Sequence, residues 1–379
     1  MARSSRKPND PVELACELNE EAVARYAEGQ YKKAEQLFRR AIRLLEKAQG
    51  PNSPDLANVL NSLAAIYENR CDYEEATDLY KRAVQIVQEL EDEDEDLQRL
   101  RLESLSNLAR IYRLQCDYEK TEPLSKRALS LAEKRFGPKS LETAGALNDL
   151  GMLHKFTARF KEAEPLYRRA LNIIEEQLGP DDPSLASIYH NLGGLEHARG
   201  RYAKGEPFAR RSVELRERVY GPGHPDVAAD VAALAALLDG QEKYDEAEPL
   251  YRRALSIFER FHGPEHYEIA VNLNNLAVVR QAKGDIEEAE RLFTRALALK
   301  EKLFGLENVE VAMTTNNLAV LYKEQGKVDE AIRLYRRALT ILEKGLGRKH
   351  PHAITCRKNY ESLTVQKRDV ATIKKGSSK

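Results

Sequence analysis

The chain has 379 residues, with 60 Lys and Arg against 61 Asp and Glu, 15 Pro, 20 Gly and no Trp. A net charge of −1 gives no strong field for steering nucleic acid or an anionic membrane, and no uncharged apolar run approaches the roughly 18 residues that span a bilayer. The four cysteines, Cys16, Cys71, Cys116 and Cys356, form no CxxC pair, and the polar, basic N-terminus lacks the apolar core of a signal peptide, so a reducing cytoplasm is expected.

Residues 1–11 read as a disordered basic arm. From residue 12 a single pattern recurs: Tyr-Asp-Glu-Ala-Glu-Pro-Leu-Tyr-Arg-Arg-Ala at 244–254 has a close copy at 160–170 and weaker ones elsewhere. Its final alanine falls at Ala41, Ala83, Ala128, Ala170, Ser212 (a replacement), Ala254, Ala296 and Ala338, every 42 residues except for one step of 45. Eight repeats follow, at about 12–53, 54–98, 99–140, 141–182, 183–224, 225–266, 267–308 and 309–349. The long step crosses the acidic run 91–96, read as a solvated loop or a contact for a basic partner. Residues 350–366 repeat a first helix without its partner and are expected to cap the last apolar face, with 367–379 a disordered basic tail.

Each signature follows a second helical pattern, as in Leu63-Ala64-x-Ile66-Tyr67 and Leu318-Ala319-x-Leu321-Tyr322. Apolar residues recur at three and four, the period of an amphipathic helix, and no stretch alternates as a half-buried strand does. Ser53, Ser140, Asp182, His224, His266, Asn308 and His350 share one slot and suit helix N-caps, several with proline next. A glycine upstream, from Gly50 to Gly347, suits a helix end in a left-handed conformation. Pro123, Pro165, Pro207 and Pro249 are expected in the first turn of the second helix, where a missing N–H is harmless. Cys71 and Cys116 occupy the turn slot of Gly29, Gly200, Gly284 and Gly326, which suggests slightly different turns.

Leu63, Ala64 and Tyr67, then Ala76, Tyr80 and Ala83, match the spacing of the tetratricopeptide signature, whose usual unit is about 34 residues. Long units carrying Leu-Asn-Asn-Leu-Ala (273–277) and Gly-Pro-Gly-His-Pro-Asp-Val-Ala (221–228) resemble the kinesin light chain type of repeat over about residues 12–360. With no long heptad region ahead of Val12, a relative of the repeat domain is expected, not a motor subunit. The resemblance implies an all-α, right-handed superhelical solenoid of antiparallel hairpins. It also implies a groove, lined by first helices, that takes peptide segments of partner proteins.

On that geometry the groove positions are two before and two and five after the leucine of each first helix. Asparagine gathers there, at Asn61, Asn107, Asn148, Asn191, Asn274, Asn275, Asn316 and Asn317; its amide can pair with both an N–H and a C=O of an extended backbone, or else bond neighbouring helices. Arg110, Arg113, Lys155 and Lys323 add positive charge, diluted by Glu68, Glu103 and Asp149. Ala228, Ala229, Ala232, Ala233, Ala235 and Ala236 floor an apolar pocket or pack helices tightly.

No chemistry-bearing motif competes with binding. The histidines at 224, 266 and 350 share the capping slot, the 200–206 segment lacks the lysine of a P-loop, and no serine-centred elbow is present. The expectation is a non-enzymatic adaptor in the cytoplasm, binding proteins, with no cofactor or metal, no nucleic acid and no membrane. The alternative is a regulatory sensor whose solenoid changes shape with a peptide or ligand.

Overall fold

A computed structural model describes residues 10–70, 72–90 and 94–376, with side chains described as far as residue 367. The N-terminal arm before residue 10, Cys71, positions 91–93 of the acidic run and residues 377–379 lie outside the described residues. Among the described residues all regular structure is helical. Two compact units divide the chain, Met1–Pro180 and Asp181–Lys379.

The first unit contains α1 (Pro11–Ala27), α2 (Tyr31–Gln49), α3 (Pro54–Asn69), α4 (Tyr73–Glu89), α5 (Glu95–Leu114), α6 (Tyr118–Arg135), α7 (Leu141–Phe156) and α8 (Phe160–Leu178). The second contains α9 (Leu185–Ala198), α10 (Tyr202–Tyr220), α11 (Pro225–Asp239), α12 (Tyr244–His262), α13 (Tyr267–Ala282), α14 (Ile286–Phe304), α15 (Val309–Glu324), α16 (Val328–Leu346) and α17 (Pro351–Gly376). In each unit every odd helix pairs with the even helix after it, and α17 packs on α16 without an even partner.

Second helices bury one stripe of alternating small and large residues. Ala34, Phe38, Ala41 and Leu45 in α2 have counterparts in Ala163, Tyr167, Ala170 and Ile174 of α8 and Ala247, Tyr251, Ala254 and Phe258 of α12. Four residues at steps of four, three and four make one helix face, and each fully buried large side chain contributes about 1.5–3 kcal/mol. First helices inside a unit are buried on more sides, since α3, α5, α7, α11, α13 and α15 each meet their own partner and the helix before. In α3 that enclosure takes Leu56, Ala57, Val59, Leu60, Leu63, Ala64, Ile66 and Tyr67.

The capping slot behaves as its chemistry requires at most positions. Ser53, Ser140, His224, His266 and Asn308 each accept a hydrogen bond from a backbone N–H of the first turn, and His350 Nδ1 accepts from His352 N–H. In the fifth repeat the helix begins later than expected: Asp182 instead bonds Ser184, and α9 starts at Leu185. The acidic run is not wholly loop. Asp94 accepts from the N–H of Asp96, and Glu95 and Asp96 form the first turn of α5, where negative charge meets the positive end of the helix dipole. At the other end α17 continues through 367–376, beyond the expected start of the tail.

Two local expectations are corrected. Pro249 is the sixth residue of α12, because Lys243 is the cap, so it removes an internal bond to the carbonyl of Asp245; Pro123, Pro165 and Pro207 are placed alike in α6, α8 and α10. The carbonyls concerned belong to exposed residues, where solvent can reach them. Cys116 takes the same left-handed turn as the glycines of its slot, with φ 60°, as do Ala158 at 58° and Glu242 at 60°. The glycines after the second helices serve another need: Gly50, at φ 84° and ψ −173°, occupies a region that only glycine visits readily.

Candidate peptide-binding surface

Within the first unit α1 touches α3, α3 touches α5 and α5 touches α7, whereas successive second helices do not meet among the described residues. The same holds in the second unit for α9, α11, α13, α15 and α17. First helices therefore line the more tightly curved side of each unit, and the two inner faces differ in chemistry.

The inner face of the first unit is charged. Arg110 on α5 pairs with Glu68 on α3, donates to Asn107 Oδ1 at 2.9 Å, and lies 3.3 Å from the Tyr80 hydroxyl. That hydroxyl donates to Glu68 at 3.0 Å. Arg113 and Lys155 flank the ring of Phe156, each 5.2 Å from its centroid, and the ring is 52% exposed. Burial pushes the Asp149 carboxyl up to about 6 despite Arg113 and Arg110 beside it. Burial, then the neighbouring Arg113 charge, brings the Lys155 ammonium down to about 8. Burial also raises Glu103. Asn148 is half-buried on α7.

Asn61 does not belong to this surface. It is 4% exposed, and its amide donates to Ser104 Oγ on α5 at 2.9 Å, so it joins two first helices in the core. The same correction applies to Asn191 in the second unit, 6% exposed. Asn61 occupies the earlier of the two slots before its leucine and Asn191 the later one before Leu192, so slot position alone does not decide which amides are buried.

The inner face of the second unit is amide-rich and small. Asn317 donates to Asn274 Oδ1 at 3.1 Å, joining α15 to α13, and Asn274 donates to Asn275 Oδ1 at 3.3 Å. Asn275 in turn lies beside the hydroxyl of buried Tyr251. The chain of bonds fixes the orientation of Asn274 and Asn317 and leaves each with part of its amide uncommitted. Asn316 is half-buried with an enclosed Oδ1, and Lys323 is exposed. Ala232, Ala233 and Ala236 are partly exposed on α11, while Ala228 and Ala235 are buried.

His190 also lies here, in a groove slot passed over in the sequence. Its Nδ1 is 2.7 Å from Asp230, which is 1% exposed and accepts from Arg216 Nε at 2.6 Å. The available signal was Asp230 itself, a carboxylate among Val227, Ala228, Val231 and Leu234 that requires a partner. Burial also raises Asp239, to about 6.

His262 and His266 stack with ring centroids 3.9 Å apart, and among the described residues no three His, Cys, Asp or Glu are grouped to hold a metal ion. No described helix is long and apolar enough to cross a membrane. The recurring arginines of the second helices are paired, Arg39 with Glu35 at 3.0 Å, Arg168 with Glu164 at 2.9 Å and Arg252 with Glu248 at 2.9 Å.

Stacked helical hairpins with an inner wall of first helices define a helical-repeat protein. The tetratricopeptide repeat models match residues 13–89, 100–176, 184–249, 228–302 and 311–352, and the chain belongs to the tetratricopeptide repeat family. Solved structures similar to it include kinesin light chain-like repeat proteins. BtubC (BKLC) from P. vanneervenii is 26% identical over 62% of this chain and 94% of that one, with a TM-score of 0.49. A kinesin light chain candidate of Podosopora anserina with nearly identical TPR-like repeats is 22% identical over 52% and 94%, with a TM-score of 0.45. A Rap protein complexed with competence and sporulation factor shares the fold at a TM-score of 0.57, with 16% identity over 82% of this chain and 88% of that one. No curated protein matches by sequence.

Proposed function

We propose that the chain is a non-enzymatic cytoplasmic adaptor that binds an extended segment of a partner protein on the inner faces of its first helices. The observation that carries this reading is the Asn317–Asn274–Asn275–Tyr251 series across three adjacent repeats. Amides already oriented in the free chain lose little side-chain freedom on binding, and their uncommitted groups match the N–H and C=O of an extended backbone. Hydrogen bonds contribute a net ~0.5–1.5 kcal/mol each, so a micromolar complex, about 8 kcal/mol, also needs apolar burial on Ala232, Ala233 and Ala236 or charge pairing on the first unit. Arg110, Arg113, Asn107, Asn148 and Lys155 are the proposed contacts there, and Asn316 and Lys323 flank the amide series. The eight repeats with terminal cap are proposed as the functional array.

A sensor is the second reading, suggested by the fold shared with a Rap protein complexed with competence and sporulation factor. One experiment addresses both. Displayed proteome-derived peptides are selected on the wild-type chain, and affinities are measured with wild type and the Asn274→Ala/Asn317→Ala variant. Adaptor binding predicts extended segments that lose about tenfold or more in the variant; failure to enrich any peptide, or equal affinity, opposes it. A peptide-dependent change in overall dimensions by solution scattering would favour the sensor.

A further inference from the structure

His190 on α9 presents a fixed ring to the inner face of the second unit. Asp230 of α11, 1% exposed, accepts from Arg216 Nε at 2.6 Å with one oxygen, and its other oxygen lies 2.7 Å from His190 Nδ1. Asp226, at the same end of α11, lies 3.7 Å from Arg216 and 3.8 Å from His224. An acceptor at Nδ1 makes that nitrogen the N–H of the ring, so Nε2 of the neutral imidazole carries the lone pair. Among the described residues Nε2 has no hydrogen-bond partner.

Glu268, in the first turn of α13, supplies a second acceptor. Its side chain is half-buried and makes no ion pair or hydrogen bond among the described residues. Burial raises its carboxyl, and the charge that opposes burial is that of His190. The two residues feel each other across α11, because α9 and α13 pack on α11 and not on one another. The reason lies in three partly exposed positions of α11. It carries Ala229, Ala232 and Ala233 where α13 has Val271, Asn274 and Asn275 and α15 has Met313, Asn316 and Asn317. The three methyls leave the wall low between the imidazole and the carboxylate.

We propose that this recess binds an arginine side chain of the bound segment, with the guanidinium between His190 Nε2 and the Glu268 carboxylate and its flat face on the alanine methyls. A guanidinium carries donors on several edges and no acceptor, and it sheds water more readily than an ammonium, whose donors radiate from one point. It supplies the counter-ion that a sunken carboxylate requires. Asp239, at the other end of α11, is also half-buried with no side-chain partner among the described residues, which extends the preference for positive charge along this wall. The segment that carries the arginine rests on the peptide reading; the recess itself does not.

The test titrates the full chain with acetyl-arginine amide, acetyl-lysine amide and acetyl-citrulline amide and follows the His190 imidazole by NMR. The arginine compound is expected to shift the His190 resonances saturably and to bind about tenfold tighter than the citrulline compound, which keeps the shape and loses the charge. Glu268→Gln is expected to weaken it about tenfold. Ala229→Leu, which fills the recess without changing charge, is expected to abolish the shift; both variants are checked by circular dichroism. Equal binding of the citrulline compound, or no effect of either variant, overturns the proposal, and a lysine compound that binds as tightly overturns the guanidinium assignment. Peptides selected on the chain separate the two readings. Peptides that need Asn274 and Asn317 but are indifferent to Glu268→Gln overturn the recess and leave the adaptor standing, whereas saturable arginine binding with no peptide enriched retains the recess and removes the adaptor.

Discussion

Four tyrosines, Tyr80, Tyr167, Tyr251 and Tyr335, occupy one slot of the second helices and are fully buried, and Phe38 and Phe293 fill the same slot elsewhere. The phenyl ring is thus what packing requires, and each hydroxyl stands or falls on its partner. Tyr80 donates to Glu68 at 3.0 Å beside Arg110, whereas the hydroxyls of Tyr167 and Tyr335 are enclosed without a hydrogen-bond partner among the described residues. Removing an unpaired buried hydroxyl recovers its desolvation cost, about 1 kcal/mol or more; removing one bonded to a charge costs about 1.5–3 kcal/mol. Tyr167→Phe should therefore raise stability by about 1 kcal/mol and Tyr80→Phe lower it by about 2 kcal/mol. The two variants lose the same atom from the same slot. Urea unfolding followed by circular dichroism, with hydrogen exchange on α4 and α8 to localise the change, measures the difference. Equal destabilisation of both variants would refute the reasoning.

Replacing Ala158 or Glu242 with glycine relieves a side chain held at positive φ, and each change should stabilise the chain by about 0.5–1 kcal/mol in thermal unfolding; a loss at both positions contradicts this. Asp149 sits at about 6 in the folded chain, above its ordinary 3.8, so between pH 4 and 6 the folded state holds a proton that the unfolded state has released, and stability falls as pH rises through that window. Asp149→Asn should match wild type near pH 4 and exceed it at pH 7 by up to about 3 kcal/mol in denaturant titrations; a constant offset at both pH values contradicts the assignment.

The all-helical repeat was legible because its period is carried by residues with one physical job. Alanine in the small slot, tyrosine or phenylalanine in the large one and a capping residue before each first helix recur at a fixed spacing. The prolines were placed too close to the helix start because α8, α10 and α12 begin after Arg159, Arg201 and Lys243 with no capping side chain to announce them, whereas α6 begins at the capping Asp117. The surface was legible only in part. Slot arithmetic brings Asn274 and Asn317 together, yet it assigns Asn61 and Asn191 the same role, and only packing shows that these two are buried, Asn61 against Ser104 of the next first helix. His190 was passed over because its partner Asp230 lies 40 positions away.

The account rests on an inner face that receives an extended segment, and amide hydrogen exchange with and without a selected peptide tests it most directly. Binding is predicted to protect α13 and α15, with weaker effects on α11, and to leave the exposed stretches of α12, α14 and α16 unchanged. Protection confined to the second helices, or no protection at saturating peptide, would contradict it.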